Sequence, residues 1–352
     1  MRSFVYDQAS IRVIFGGGAL DRLGFEVERL GARRALLLAS PGQRPVAEKV
    51  ARRLGAAAAG IYAEPAPHVP IEVARSACDT ARRLEADCCV TIGGGSTIGL
   101  GKAIARESGL PLVAVPTTYS GSEMTPIFGV REGGVKKTGR DRNVLPKAVL
   151  YDPTLTVSLP RHISGPSGMN AIAHSVEALY APDANPIVSL FAAEGIRALA
   201  RSLPVVVEEP ANLDARAGAL YGAWLSGAAL AATSMGLHHR LCHTLGGSFG
   251  LPHAEVHTVI LPQAAAFNRD AAPDAMRTIA CALGADEAAR GLYDLATRIG
   301  APVALKAIGM PADGLDRAAR LATANPYDNP RPIDYESVRQ LLEDAFEGKR
   351  PV

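Results

Sequence analysis

The chain has no CxxC pair, no long basic run, a single tryptophan, and no long apolar stretch without small or polar interruptions. Five cysteines (Cys78, Cys88, Cys89, Cys242 and Cys281) make an odd count. A disulfide framework needs pairs and an oxidising compartment, and a structural zinc needs close cysteine spacing, so neither is expected. Lys and Arg total 37 against 35 Asp and Glu, a formal net charge of +2. With no basic patch interleaved with aromatics, a nucleic-acid partner is excluded. The opening MRSFVYDQASIRVIFGGGAL lacks the apolar core of a signal peptide. The most apolar stretch, between Leu220 and Leu237, is diluted by Ala, Gly and Ser and flanked by Arg216 and histidines. It suits a buried helix better than a membrane span. A cytoplasmic protein without a membrane partner is the expectation.

What is present is length and apolar content. At 352 residues and 48% hydrophobic, about two buried cores are expected. Up to residue 152 the chain alternates short β-rich runs with helix-length segments: IRVIFGGG, ARRALLLAS, CCVTIGGGS and LPLVAVPTT alternate with VAEKVARRLG and IEVARSACDTARRLEA. That rhythm implies right-handed crossovers and a doubly wound parallel sheet covered on both faces. From residue 153 to 352 strand signals nearly vanish. SGPSGMNAIAHSVEALYA, IVSLFAAEGIRALARSL, DARAGALYGAWLSGAALAA and YESVRQLLEDAFEG read as helices bounded by Gly and Pro. The expected fold is an α/β nucleotide-binding domain, residues 1–152, followed by an all-α helical bundle, residues 153–352. The cleft between them is the default active site.

Gly93, Gly94, Gly95 and Ser96 follow a strand and open a helix that carries Lys102. Glycines there let the backbone approach a diphosphate, and the helix start offers unpaired N–H groups to the anion. Thr117, Thr118 and Ser122 follow the next strand, where hydroxyls can bond ribose or phosphate oxygens. Gly16, Gly17 and Gly18 repeat the theme after the first strand, with a tight turn as the equal alternative. In the second half, Asn170 and His174 stand four apart on one helix face, as do His239 and His243, and His253 follows a Gly- and Pro-containing turn. Histidines at these spacings read as a functional cluster.

These motifs resemble the iron-containing alcohol dehydrogenase family, which is similar in fold to dehydroquinate synthase. In that family an Asp and a His four apart, with two later histidines fourteen apart, bind the metal. Those histidines fall on His174, His239 and His253, but the Asp position holds Asn170. Two further departures are Gly99 in GGGSTIGLGK, in place of Asp, and Ser40, where NAD-specific members carry a carboxylate. GMNAIAHSVEALYA, LHHRLCHTLGG, PTTYSGSE and TANPYDNPRP are similar to one branch, the maleylacetate reductases.

The resemblance implies reduction of the carbon–carbon double bond of a small dicarboxylate, maleylacetate, to 3-oxoadipate in aromatic-compound breakdown. NADH or NADPH would serve as reductant, because Ser40 does not repel a 2′-phosphate. It implies His243 and His253 as acid and enolate stabiliser, and Asn170, His174, His239 and Arg240 around the substrate anion. Ser40, Gly93–Gly95, Ser96, Lys102, Thr117, Thr118 and Ser122 would hold the cofactor. With a neutral Asn170, no metal is expected. A homodimer is implied at the family level. A metal-dependent alcohol dehydrogenase is the main alternative, and a non-catalytic nucleotide-binding protein the second.

Overall fold

The computed structural model describes all residues except 1–3, 8, 9, 67, 68 and 134, and only the backbone of 135 and 136. Two compact units emerge, one ending at Ser158 and the other formed by Leu159–Val352 with residues 4–7.

The first unit holds strands β1 (Arg12–Phe15), β2 (Ala35–Ala39), β3 (Ala58–Tyr62), β4 (Cys88–Gly93), β5 (Leu112–Pro116), β6 (Ile127–Glu132), β7 (Val135–Arg140) and β8 (Ala148–Tyr151). Between them run helices α1 (Leu23–Arg29), α2 (Arg44–Leu54), α3 (Ile71–Arg83) and α4 (Gly95–Ser108). Six strands form one parallel sheet in the order β1-β8-β5-β4-β2-β3, and β6 and β7 form a separate antiparallel pair. Strands β2, β4, β5 and β8 are buried throughout, because side chains alternate between two covered faces. Leu37, Val90 and Val113 meet Leu23, Val27, Ala47 and Val50 on one face. Leu36, Leu38 and Cys89 meet Ala74, Ala77, Leu100 and Ile104 on the other.

From β2 the chain goes outward to β3, then crosses back to β4 on the other side of β2. Helices α2 and α4 therefore leave on opposite faces, which opens a crevice at the carboxyl ends of β2 and β4.

The second unit is helical: α5 (Arg161–Tyr180), α6 (Pro186–Glu208), α7 (Leu213–Ala231), α8 (Leu237–Phe249), α9 (His253–Asn268), α10 (Pro273–Leu283), α11 (Ala288–Arg298), α12 (Leu315–Thr323) and α13 (Tyr335–Glu347). Asn185, Asn212 and Asp334 cap α6, α7 and α13 through their side-chain oxygens. None of the described helices is long and apolar enough to cross a membrane.

Helix α5 is buried on every side from Ser164 to Ala178, and α6 and α7 pack close beside it. Their crossing rests on Gly195 and Gly222. A Cβ on Gly222 would come 2.9 Å from the Gly195 carbonyl oxygen and 2.7 Å from Leu199 Cγ. Because one obstacle is backbone, Gly222→Ala is expected to destabilise by about 1–3 kcal/mol. A melting temperature several degrees lower in a thermal scan checks this, and an unchanged one contradicts it.

Candidate functional sites

At the crevice of the α/β unit, three neighbouring strands end side by side, with Ala39 in register with Ile92 and Gly93 with Pro116. Ser40 follows β2, Gly93–Gly95 turn from β4 into α4, and Thr117 and Thr118 follow β5. The turn is tight. A Cβ on Gly93 would lie 2.4 Å from Thr97 Oγ1, and one on Gly94 would lie 2.8 Å from Thr118 Cγ2. No side chain caps the start of α4, so its first N–H groups, Ser96 included, remain available to an anion. Arg44, beyond Ser40, pairs with Glu48 at 3.1 Å on an exposed helix turn.

Lys102 departs from its expected role. It is fully buried, and Nζ donates to the carbonyl oxygens of Ser122, Thr125 and Ile127 at 2.6, 2.7 and 2.7 Å, with Thr125 Oγ1 at 3.1 Å. An ammonium has three hydrogens, and all are taken up inside the protein. Lys102 therefore staples the segment carrying Ser122 instead of reaching for a phosphate. Burial pushes its pKa down to about 7, while the neighbouring Glu123 carboxyl acts to raise it.

The histidines gather in the helical unit. Asn170, His174 and Glu177 follow one another along one face of α5, and all three are buried. Helix α8 presents His238 and His239 and, one turn on, Cys242 and His243. Gly250, at φ +70°, then reverses the chain. This left-handed conformation is cheap only for glycine, and it lets α9 begin at His253 with His257 one turn further. The rings of His174 and His239 stack with centroids 5.3 Å apart. His257 lies 5.0 Å from His239 and 4.3 Å from His253, and His243 lies 6.1 Å from His239, all between ring centroids. The sequence-derived residues Asn170, His174, His239, His243 and His253 are thus joined by three that the sequence reading passed over: Glu177, His238 and His257.

Burial sets the electrostatics. Desolvation holds the imidazoles of His174, His238 and His257 well below the ordinary histidine range, and neighbouring histidines push them further down. These three are neutral near pH 7. His243 is half-buried and His253 exposed.

Three potential ligand atoms, on His238, Cys242 and His257, all lie within 4.8 Å of one another. Yet His238 Nε2 is 3.0 Å from His257 Nδ1 and 3.6 Å from Cys242 Sγ, so hydrogen bonding already joins them. Coordination through those atoms would leave two buried hydrogens, on His238 Nδ1 and His257 Nε2, with no acceptor. At the position expected of a family metal site, the donors are imidazoles and the Asn170 amide, without a carboxylate among them. Such a set offers no anionic ligand to an Fe²⁺ or Zn²⁺ ion.

Arg240 follows His239 on α8, its guanidinium 5.6 Å from the Tyr327 ring centroid. Its Nε is buried without a hydrogen-bond partner, as is the Tyr327 hydroxyl.

Two family models cover the chain almost end to end: iron-containing alcohol dehydrogenase over residues 10–153, and the C-terminal part of the Fe-containing alcohol dehydrogenase family over residues 165–346. The chain belongs to the iron-containing alcohol dehydrogenase family. A maleylacetate reductase from Burkholderia cepacia is 57% identical over 351 residues, with both chains covered to 100%. A crystal structure of an alcohol dehydrogenase from Ralstonia eutropha matches with a TM-score of 0.99 at 57% identity, each chain covered to 100%. A maleylacetate reductase from Agrobacterium tumefaciens matches with a TM-score of 0.96 at 52% identity, again covering 100% of each chain.

Lys102→Met would strand the acceptors that Nζ now satisfies, at a total cost of about 3 kcal/mol or more. A lowered melting temperature is expected, with hydrogen-exchange protection lost selectively around residues 122–127. Retained protection there would contradict the stapling role.

Proposed function

We propose that this chain is a maleylacetate reductase, using NADH or NADPH to reduce the carbon–carbon double bond of maleylacetate to 3-oxoadipate. The observation that carries the reading is relatedness without a gap: 57% identity to such an enzyme, with all of both chains covered. The character of the imidazole cluster supports it. In an enone reduction, hydride adds to the carbon β to the ketone, the ketone oxygen takes up negative charge as an enolate, and a proton then adds at the α carbon. Hydrogen-bond donors and a general acid suffice for this. Abstracting a hydride from an alcohol instead calls for a Lewis acid to lower the alcohol's pKa. The donor set around Asn170, His174, His239 and His253 offers a divalent ion no anionic ligand, and the enone reduction needs no Lewis acid.

Within this reading, His243 and His253 are the acid and enolate-stabilising candidates because water can reach them to replace a proton. Asn170, His174 and His239 line the anion site, and Arg240 binds a substrate carboxylate through the donor it leaves unused. The crevice with Ser40, Gly93, Gly94, Gly95, Ser96, Thr117, Thr118 and Ser122 takes the dinucleotide. Ser40 stands where a carboxylate would repel a 2′-phosphate, so both nicotinamides are accepted.

Nicotinamide absorbance should fall when maleylacetate is added to enzyme treated with a strong chelator. Activity that disappears with the chelator and returns only with Fe²⁺ or Zn²⁺ would overturn the metal-free reading. NADH and NADPH should differ in kcat/KM by less than about a hundredfold, or about 2.7 kcal/mol. Arg240→Gln removes a charge-assisted hydrogen bond worth about 1.5–3 kcal/mol. The KM for maleylacetate should rise by about ten- to a hundredfold while kcat changes less, and an unchanged KM would remove Arg240 from the site.

A further inference from the structure

Glu177 is 1% exposed near the end of a helix that is buried on all sides from Ser164 to Ala178. A carboxylate so placed must be paired or it would not stay ionised. Its partners come from the start of α8. Oε1 accepts from the His238 backbone N–H at 2.9 Å, and Oε2 accepts from the Gly236 N–H at 3.2 Å. Oε2 also lies 2.5 Å from His239 Nδ1. An ionised carboxylate can only accept, so Nδ1 must carry the hydrogen. The other nitrogen, His239 Nε2, is buried and has no hydrogen-bond partner. Around the ring stand His174 from α5, His238 and His243 from α8 and His257 from α9.

We infer that Glu177 and His239 form a carboxylate–imidazole dyad in which Glu177 is a positioning residue, fixing the orientation of the ring where it lines the site for the ketone end of the substrate. The inference rests on the reductase reading for its substrate, but not for its geometry. A carboxylate behind an imidazole fixes both tautomer and ring orientation, and exchanging it for an amide preserves shape while reversing the hydrogen-bond polarity. Held this way, the ring is a fixed wall of the anion site, against which the ketone end of the substrate is set as hydride arrives. The solvent-reached histidines, His243 and His253, supply the hydrogen bond to the enolate oxygen and the proton to the substrate's α carbon.

The test has a part that needs no turnover. In protein labelled with ¹⁵N-histidine, long-range proton–nitrogen spectra should show His239 Nδ1 bearing hydrogen in the wild type and losing it in Glu177→Gln. A bare Nδ1 in the wild type, or a hydrogen retained there in the variant, would overturn the dyad. The kinetic part compares Glu177→Gln, His239→Ala and the double variant with maleylacetate and chelator present. Glu177→Gln should lower kcat by about a hundredfold or more with KM within about threefold. Adding it to His239→Ala should lower kcat far less than it does alone, because its effect on turnover passes mainly through the ring. Losses that multiply independently, or full kcat in His239→Ala, would overturn the proposal. Should Glu177→Gln fail to fold, the wild-type spectrum and His239→Ala still decide. A wild-type protein that ignores maleylacetate refutes the reductase reading, while the ¹⁵N spectra separately establish or refute the dyad.

Discussion

One carboxylate buried on α5 sets the layout of the whole histidine cluster. Left alone at that depth, an ionised Glu177 would cost several kcal/mol. The fold meets the cost with three N–H groups from a single turn of α8. That requirement pins the start of α8 to the end of α5 and explains Gly236, where a Cβ would lie 3.3 Å from Glu177 Oε1 and 3.2 Å from Asn329 Oδ1. Once α8 begins there, helical periodicity places His238, His239, Cys242 and His243 without further instruction. The left-handed Gly250 brings α9 back with His253 and His257. The cluster is thus less a set of independently placed histidines than the product of one buried charge and one turn.

The crevice in the α/β unit follows a different logic. It presents backbone where the helical unit presents side chains. Glycines at 93 and 94 exist because Thr97 and Thr118 occupy the volume their Cβ atoms would need, and the groups left uncapped at the start of α4 are helix N–H donors. Lys102 shows how misleading charge can be in such a place. A lysine on the helix after a glycine turn invites a phosphate-binding role, yet the ammonium is turned inward and used to hold a loop. Its charge is satisfied by carbonyl oxygens, so what remains for an anion there is backbone and hydroxyls.

Much of this is legible in the amino-acid sequence, and the exceptions have physical causes. β2, β4 and β5 announce themselves as short apolar runs, since strands covered on both faces need no polar alternation. β3 does not, because Ala58–Tyr62 is mostly Ala and Gly, with little β-branched content. The β6–β7 pair hides among charged and glycine residues. Among the histidines, the i, i+4 pairs at 239 and 243 could be read directly, and the same rule applied to His253 would have found His257. Glu177 carried a signal as well: it is the one Asp, Glu, Lys or Arg between Ser164 and Ala178, where α5 has no solvent-facing side. What no spacing rule could supply is which nitrogen of which ring meets it, because that depends on where α5 and α8 end relative to each other. The role of Lys102 was beyond reach for the same reason, since its acceptors lie twenty or more residues away in sequence.

The amide at position 170 has two consequences that belong together. Asn170 shares a helix face with His174 and Glu177, so a carboxylate there would be a second negative charge in a site already holding one. For two unit charges about 4 Å apart at an effective dielectric near 20, the interaction is about 4 kcal/mol, or roughly a thousandfold in an equilibrium. A carboxylate would draw a divalent cation in by that order and push a dicarboxylate out by a similar one. The neutral amide reverses both. It gives up the anionic ligand that a cation needs and removes the repulsion that the proposed substrate would feel. With His174, His238 and His257 kept neutral by burial and Glu177 occupied by His239 and the start of α8, the pocket repels an anion little, and on the proposed reading Arg240 attracts one. On the proposed reading, then, a site built from the parts of a metal centre serves an anion through the change of one carboxylate to an amide, with the imidazoles retained in a new use.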